Sequence, residues 1–112
     1  MKAKILSTVS EKLQGVIGRD DLDEDEVYIF KNIEPSQSFH MRSVPFPLEI
    51  AFVDQDCSIL DIKEMQAEEG TAKAPENTVL AVEASKGYFE RNKLKVGDFW
   101  KEIHNRISVK ST

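Results

Sequence analysis

Between Val44 and Pro47 the chain reads Val-Pro-Phe-Pro, and no helix can cross it. Each proline lacks the N–H of an interior helical turn and pushes the residue before it into an extended conformation. The middle of the chain is therefore committed to extended structure, with a rigid turn and a cis peptide both open at the prolines. Directly after them, Leu48, Ile50 and Phe52 share one face of an extended chain, because strand side chains alternate. Ala51 and Val53 take the other face, so this strand is expected to be covered on both sides. Asp54-Gln55-Asp56 is a polar break, and Ile59, Leu60 and Ile62 resume the apolar character. The pattern predicts a β-hairpin, around which the rest of the chain is organised.

Ahead of the hairpin, Ala3 to Leu6 reads as an opening strand. Thr8-Val9-Ser10-Glu11 has the form of a capping box. Val9, Leu13, Val16 and Ile17 follow at helical spacing, which predicts an amphipathic helix packed against a sheet and ended by Gly18. Val27 to Phe30 is a second strand, and Ser38 to Arg42 is expected to be extended. Beyond the hairpin, the segment from Ala67 to Asn77 is rich in Glu, Ala, Gly and Pro and reads as a surface loop. Thr78 to Glu83 is a buried type of strand. Ser85 is placed to cap a short helical turn through Tyr88, Phe89 and Arg91, with Asn92 as its left-handed stop.

In the last segment Phe99, Ile103, Ile107 and Val109 fall on one side of an extended chain, and Trp100, Glu102, His104 and Arg106 on the other. A long amphipathic strand is expected there. The 112 residues leave room for one domain, with 99–112 as a C-terminal extension. The expected fold is mainly β: a small antiparallel sandwich or barrel with one N-terminal amphipathic helix and one short helical turn.

Charge narrows the functional classes. The chain carries 20 acidic and 15 basic residues, a net charge of −5, with the acids concentrated between Asp20 and Glu26. Nucleic-acid binders draw affinity from clustered Lys and Arg, and no such cluster exists, so no nucleic-acid partner is expected. The acidic run lacks the central glycine and ligand spacing of a calcium loop and reads as solvated. No apolar run approaches the roughly 20 residues a membrane helix needs, and the first residues do not form a secretory signal. No membrane partner is expected, and the expected location is the cytoplasm, or a virion for a phage-encoded chain. Cys57 is the single cysteine, which excludes an internal disulfide.

The order and spacing of these segments resemble the domain of unknown function 192 family, from Val9 to Asp98. Gly15-Val16-Ile17 with Arg19 stands where that family has Gly-Leu-Met and a nearby Arg closing the first helix. Phe39 to Val44 and Pro47 to Ile50 stand where it has Phe-Trp-Met-Lys-Asn-Thr and Pro-Leu-Asp-Ile. Val79 to Glu83, Gly87 to Arg91 and Lys95 to Asp98 correspond to its Val-Leu-Glu strand, aromatic turn and Lys-Val-Gly-Asp ending. The resemblance implies a compact sandwich-like fold and no established activity. His40, Ser43 and Glu49 depart from the family's Trp, Asn and Asp, which suggests a divergent member that keeps the scaffold.

Two functional readings compete. A structural or protein-interaction subunit of a larger assembly, such as a virion component, would pair through Trp100, Ile103, Ile107 and Val109, since an edge strand invites a neighbouring chain. The alternative is a small-ligand or carbohydrate-binding domain using His40, Arg42, Phe46 and Glu49 beside the proline turn. No enzyme fingerprint is present, and no cofactor or metal is expected, because His40 and His104 lack ligand spacing.

Overall fold

The computed structural model describes residues 1–34 and 36–111, apart from the side chains of residues 108–111. The expected hairpin is its best-formed unit. Strand β4 (Leu48–Val53) pairs antiparallel with β5 (Ile59–Met65), with a bulge between Phe52 and Val53. The peptides around Pro45 and Pro47 are trans. Cys57 takes a left-handed φ of 61° in the hairpin turn, where its N–H donates to Asp54 O at 3.0 Å.

The other long strands are β1 (Lys2–Leu6), β2 (Glu26–Lys31) and β7 (Leu80–Ser85). They join the hairpin in one five-stranded sheet, ordered β1-β2-β7-β4-β5. All pairs are antiparallel except β1 with β2, which run parallel and require the long connection that carries the first helix. Two short strands, β3 (Ser38–His40) and β6 (Thr71–Lys73), form a second sheet. The fold is mainly β, with seven strands in two sheets and three short helices.

Alternation divides each central strand between two cores. Leu48, Ile50 and Phe52 join Tyr28, Phe30 and Ala81 on one side of the large sheet, covered by Phe39 of β3 and Ala72 of β6. Ala51 and Val53 join Val27, Ile29, Leu80 and Val82 on the other, beneath helices α2 (Tyr88–Arg91) and α3 (Lys101–Ser111). The stretch from Ala67 to Asn77 is thus not wholly a surface loop. It supplies β6, and Ala72 and Ala74 are buried.

Other expectations are corrected as well. The segment after Phe99 is helical rather than a strand. Trp100, Ile103 and Ile107 recur at i, i+3 and i+7, so one helical side brings together residues that strand alternation would separate. Trp100 and Ile103 are buried in the core, and Ile107 packs half-buried against it. The Val109 side chain lies outside the described residues.

Helix α1 (Val9–Gln14) has its capping box, with the Glu11 N–H donating to Thr8 Oγ1 and the Thr8 N–H to Glu11 Oε1, yet it buries no residue. Val9 and Leu13 are about three-quarters exposed, at 75% and 74%, while Val16, beyond the helix end, is the stripe residue that enters the core. The helix stops at Gly15, ahead of Gly18, because Gly15 adopts φ 47° close over the Phe30 ring. The second helix likewise starts from Gly87 with no side-chain cap from Ser85, and Lys93 (φ 55°) rather than Asn92 takes the left-handed position.

Candidate functional site

Sequence alternation along β7 sends Leu80, Val82 and Ala84 to one face and Ala81 and Glu83 to the other. Glu83 therefore stands inside the sheet, opposite Tyr28 on β2 and Ile50 on β4. It is 5% exposed, and what remains accessible opens into a groove of about 330 Å³ between α1 and β3. Among the described residues, Thr78 and Glu83 are the buried polar side chains apart from Tyr, Trp and Cys, and on the opposite face the buried Trp100 Nε1 has no hydrogen-bond partner. Thr78 is satisfied by donating to Pro75 O at 2.7 Å, whereas no side chain or backbone group among the described residues bonds the Glu83 carboxyl. Burial alone pushes that carboxyl up to about 8 from an ordinary 4.5, because removing the charged form from water has no offsetting cation.

The walls of the groove are mostly apolar. Phe30 and Phe39 meet edge to face, with ring centroids 5.5 Å apart, and Met41, Val44 and Val16 continue the lining. Leu13 and Val9 form an open apolar lip. Polar groups are confined to the edge, where Gln37, Ser38 and His40 from the β3 side face Lys12 and Gln14 from α1. The Lys12 Nζ donates to Asn32 O at 3.4 Å.

One end of this face is braced by Arg19. Its guanidinium donates to both oxygens of Glu26, at 2.8 and 3.0 Å, and to the Tyr28 hydroxyl at 2.9 Å. The bidentate geometry holds the Glu26 carboxyl below the usual carboxylate range and fixes the Tyr28 ring beside Glu83. Arg19 thus has a structural role at the position where the family resemblance placed an Arg.

The residues expected to bind a ligand do not converge. His40 is exposed on the groove edge, Arg42 is exposed beyond it, and Phe46 is buried as core packing. Glu49 points through the opposite face, where its Oε1 accepts from the Phe89 N–H at 3.3 Å and caps the start of α2. Strand alternation places it away from His40, so the pair cannot share a ligand. Ser43 sits at φ 66°, a left-handed backbone position that Asn tolerates better than most residues. The family's Asn there answers a backbone requirement. The residues expected to bind a partner, Trp100 and Ile103, are interior. Among the described residues, no three His, Cys, Asp or Glu side chains are grouped as metal ligands.

Sequence reasoning passed over Glu83 itself. The available signal was a carboxylate within the otherwise apolar run Val79 to Ala84, since Glu is rarely buried without a partner.

A two-layer β fold with one sealed face and one face opening on an isolated carboxyl defines a small β-rich scaffold domain. The chain belongs to the domain of unknown function 192 family, described as uncharacterized ACR, whose family model matches residues 1–101. Among solved structures it is similar to a protein of unknown function from Novosphingobium aromaticivorans, with 29% identity and a TM-score of 0.76 over 87% of this chain and 71% of that one. It also shares its fold with a candidate transcription regulator from Sinorhizobium meliloti, with 22% identity and a TM-score of 0.77 over 87% of this chain and 78% of that one. No curated protein matches the chain.

Proposed function

We propose that this chain is a small-ligand-binding domain whose site is the groove floored by Glu83. The observation that carries the reading is the unpartnered, buried carboxyl in an apolar cleft. Folding a glutamate into such a place costs stability, and no cation or hydrogen bond among the described residues compensates it. A ligand with an apolar body and one polar head would occupy the walls and satisfy the floor. The groove volume lies at the small end of the range for ligand sites, roughly 300–1,000 Å³.

The reading as an assembly subunit rested on an edge strand after Trp100. With that segment helical and its two largest apolar side chains interior, no specific observation favours it.

The test is a backbone-amide NMR screen of small aromatic and aliphatic fragments bearing hydroxyl, amide, carboxylate or ammonium heads. Binding shifts are expected to cluster in residues 9–17, 37–41 and 83. Shifts confined to the α2–α3 face, or no binding across the panel, would overturn the proposal.

A further inference from the structure

We infer that the groove selects organic monocations, a primary ammonium on a compact apolar body, with the ammonium seated on the Glu83 carboxylate. The inference rests on the ligand-binding reading above and adds the chemical class.

Three observations point to a cation. First, the Glu83 side chain is 5% exposed, no side-chain hydrogen bond or ion pair to it is formed among the described residues, and it lines the groove. Second, an anionic head on the floor would meet the Glu83 carboxyl, while the groove's cationic and donor side chains, Lys12 and His40 among them, lie at its edge. Third, the walls beside the floor include the Phe30 and Phe39 rings, and aromatic rings attract ammonium groups in water-poor sites. A polyhydroxylated ligand fits less well, because it would need several polar partners and the interior supplies one carboxyl.

The groups around Glu83 leave its charge state to the ligand. On β2, Tyr28 lies opposite, its hydroxyl held by Arg19, and Arg19 is paired with Glu26. Lys4 of β1 sits over the Tyr28 ring, 5.6 Å from its centroid. Strand β4 presents only Leu48, Ile50 and Phe52 on this side, and on β5 beyond it Asp61 and Lys63 pair with each other at 3.6 Å. The second sheet contributes His40 at the edge and α1 contributes Lys12.

In the empty groove Glu83 is protonated at neutral pH, held up to about 8 by burial. Seating an ammonium converts the carboxyl to carboxylate and releases one proton to solvent. Affinity should therefore rise about tenfold per pH unit between pH 6 and 8 and level off above. A neutral alcohol of the same shape, which accepts from the protonated carboxyl, should instead weaken above pH 8.

The experiment is calorimetric titration of the full chain with 2-phenylethylamine, butylamine and hexylamine against the matching alcohols at pH 6, 7 and 8. Phosphate and HEPES buffers, which differ in ionisation enthalpy and carry no primary ammonium, count the protons at pH 7. The expected result is at least tenfold tighter binding of an amine than of its alcohol at pH 8, with about one proton released at pH 7. Glu83→Gln should abolish that preference while leaving the alcohols bound. Alcohols equal to or tighter than amines, or amine affinity independent of pH, would overturn the cation inference and leave the groove reading standing. If these ligands fail while other fragments bind the groove, the inference again falls alone. If no fragment of either set binds there, both readings fall.

Discussion

The two faces of the five-stranded sheet are built from alternate residues of the same strands, yet one is sealed and the other is open. On the sealed face, Tyr88, Phe89 and Trp100 contact one another with centroids 5.2 to 6.4 Å apart, and all three are at most 3% exposed. The cover is tied to the sheet through its backbone as well. The Trp100 N–H donates to Cys57 O at 2.8 Å, and Glu49 caps α2 from below. On the open face the second sheet contributes Phe39 and Ala72 to the core, and α1 is fixed by its capping box without burying a side chain. Apolar content does not distinguish the faces. The difference is whether the covering element arrives with large side chains turned inward, and on the open face that gap coincides with a lone carboxyl.

The comparison can be broken most forcefully at Glu83. Its folded-state acidity is shifted up, so the protonated form favours the fold. That contribution is complete below pH 4.5, declines as pH rises, and is gone above about 8. The full swing is about 5 kcal/mol. Urea denaturation between pH 5 and 8 should show stability falling through this window in the wild type and nearly level in Glu83→Gln. A wild-type profile as flat as the variant's would mean that the carboxyl is solvated and the open face is not a cleft.

On the sealed face, Trp100→Ala should cost about 4 kcal/mol, since the indole fills an interior that cannot collapse around the loss. The denaturation midpoint reads this directly, and a loss under about 1 kcal/mol would remove the distinction between the faces. The smallest effect belongs to the groove lip. Leu13→Ser should change stability by no more than about 0.5 kcal/mol, because this leucine is already exposed. The same change should weaken ligand binding in the fragment screen, and a large stability loss instead would show that α1 is packed down in solution.

The hairpin was legible because two physical signals agreed: prolines that forbid helix and an alternation that continues for six residues. The tail was not, because Trp100, Ile103 and Ile107 occur at intervals that satisfy a helix while their neighbours also alternate, and only tertiary packing decides. The stripe of Val9 and Leu13 does form a helix, but one that buries neither side chain. Periodicity reports that a face is apolar; it says nothing about whether a partner lies opposite. His40 and Glu49 looked like site residues because they flank the proline turn, yet His40 belongs to the second sheet over one face of the large sheet, and alternation along β4 sends Glu49 to the other face. Glu83 was visible in the sequence as an anomaly, and its isolation depends on three elements distant in the chain.

Strand β7 holds the central place in the sheet although it is the last strand of the chain. Neither β2 nor β4 has its inner neighbour until β7 arrives, so during synthesis the sheet can form only as two separate pairs, β1 with β2 and the β4–β5 hairpin. The core therefore closes in one late insertion that joins segments separated by about fifty residues, a non-local step of the kind that slows folding. The same insertion carries Glu83 out of water. Completing the fold at neutral pH thus takes up a proton, which makes the last act of assembly sensitive to the acidity of the compartment where the chain is made.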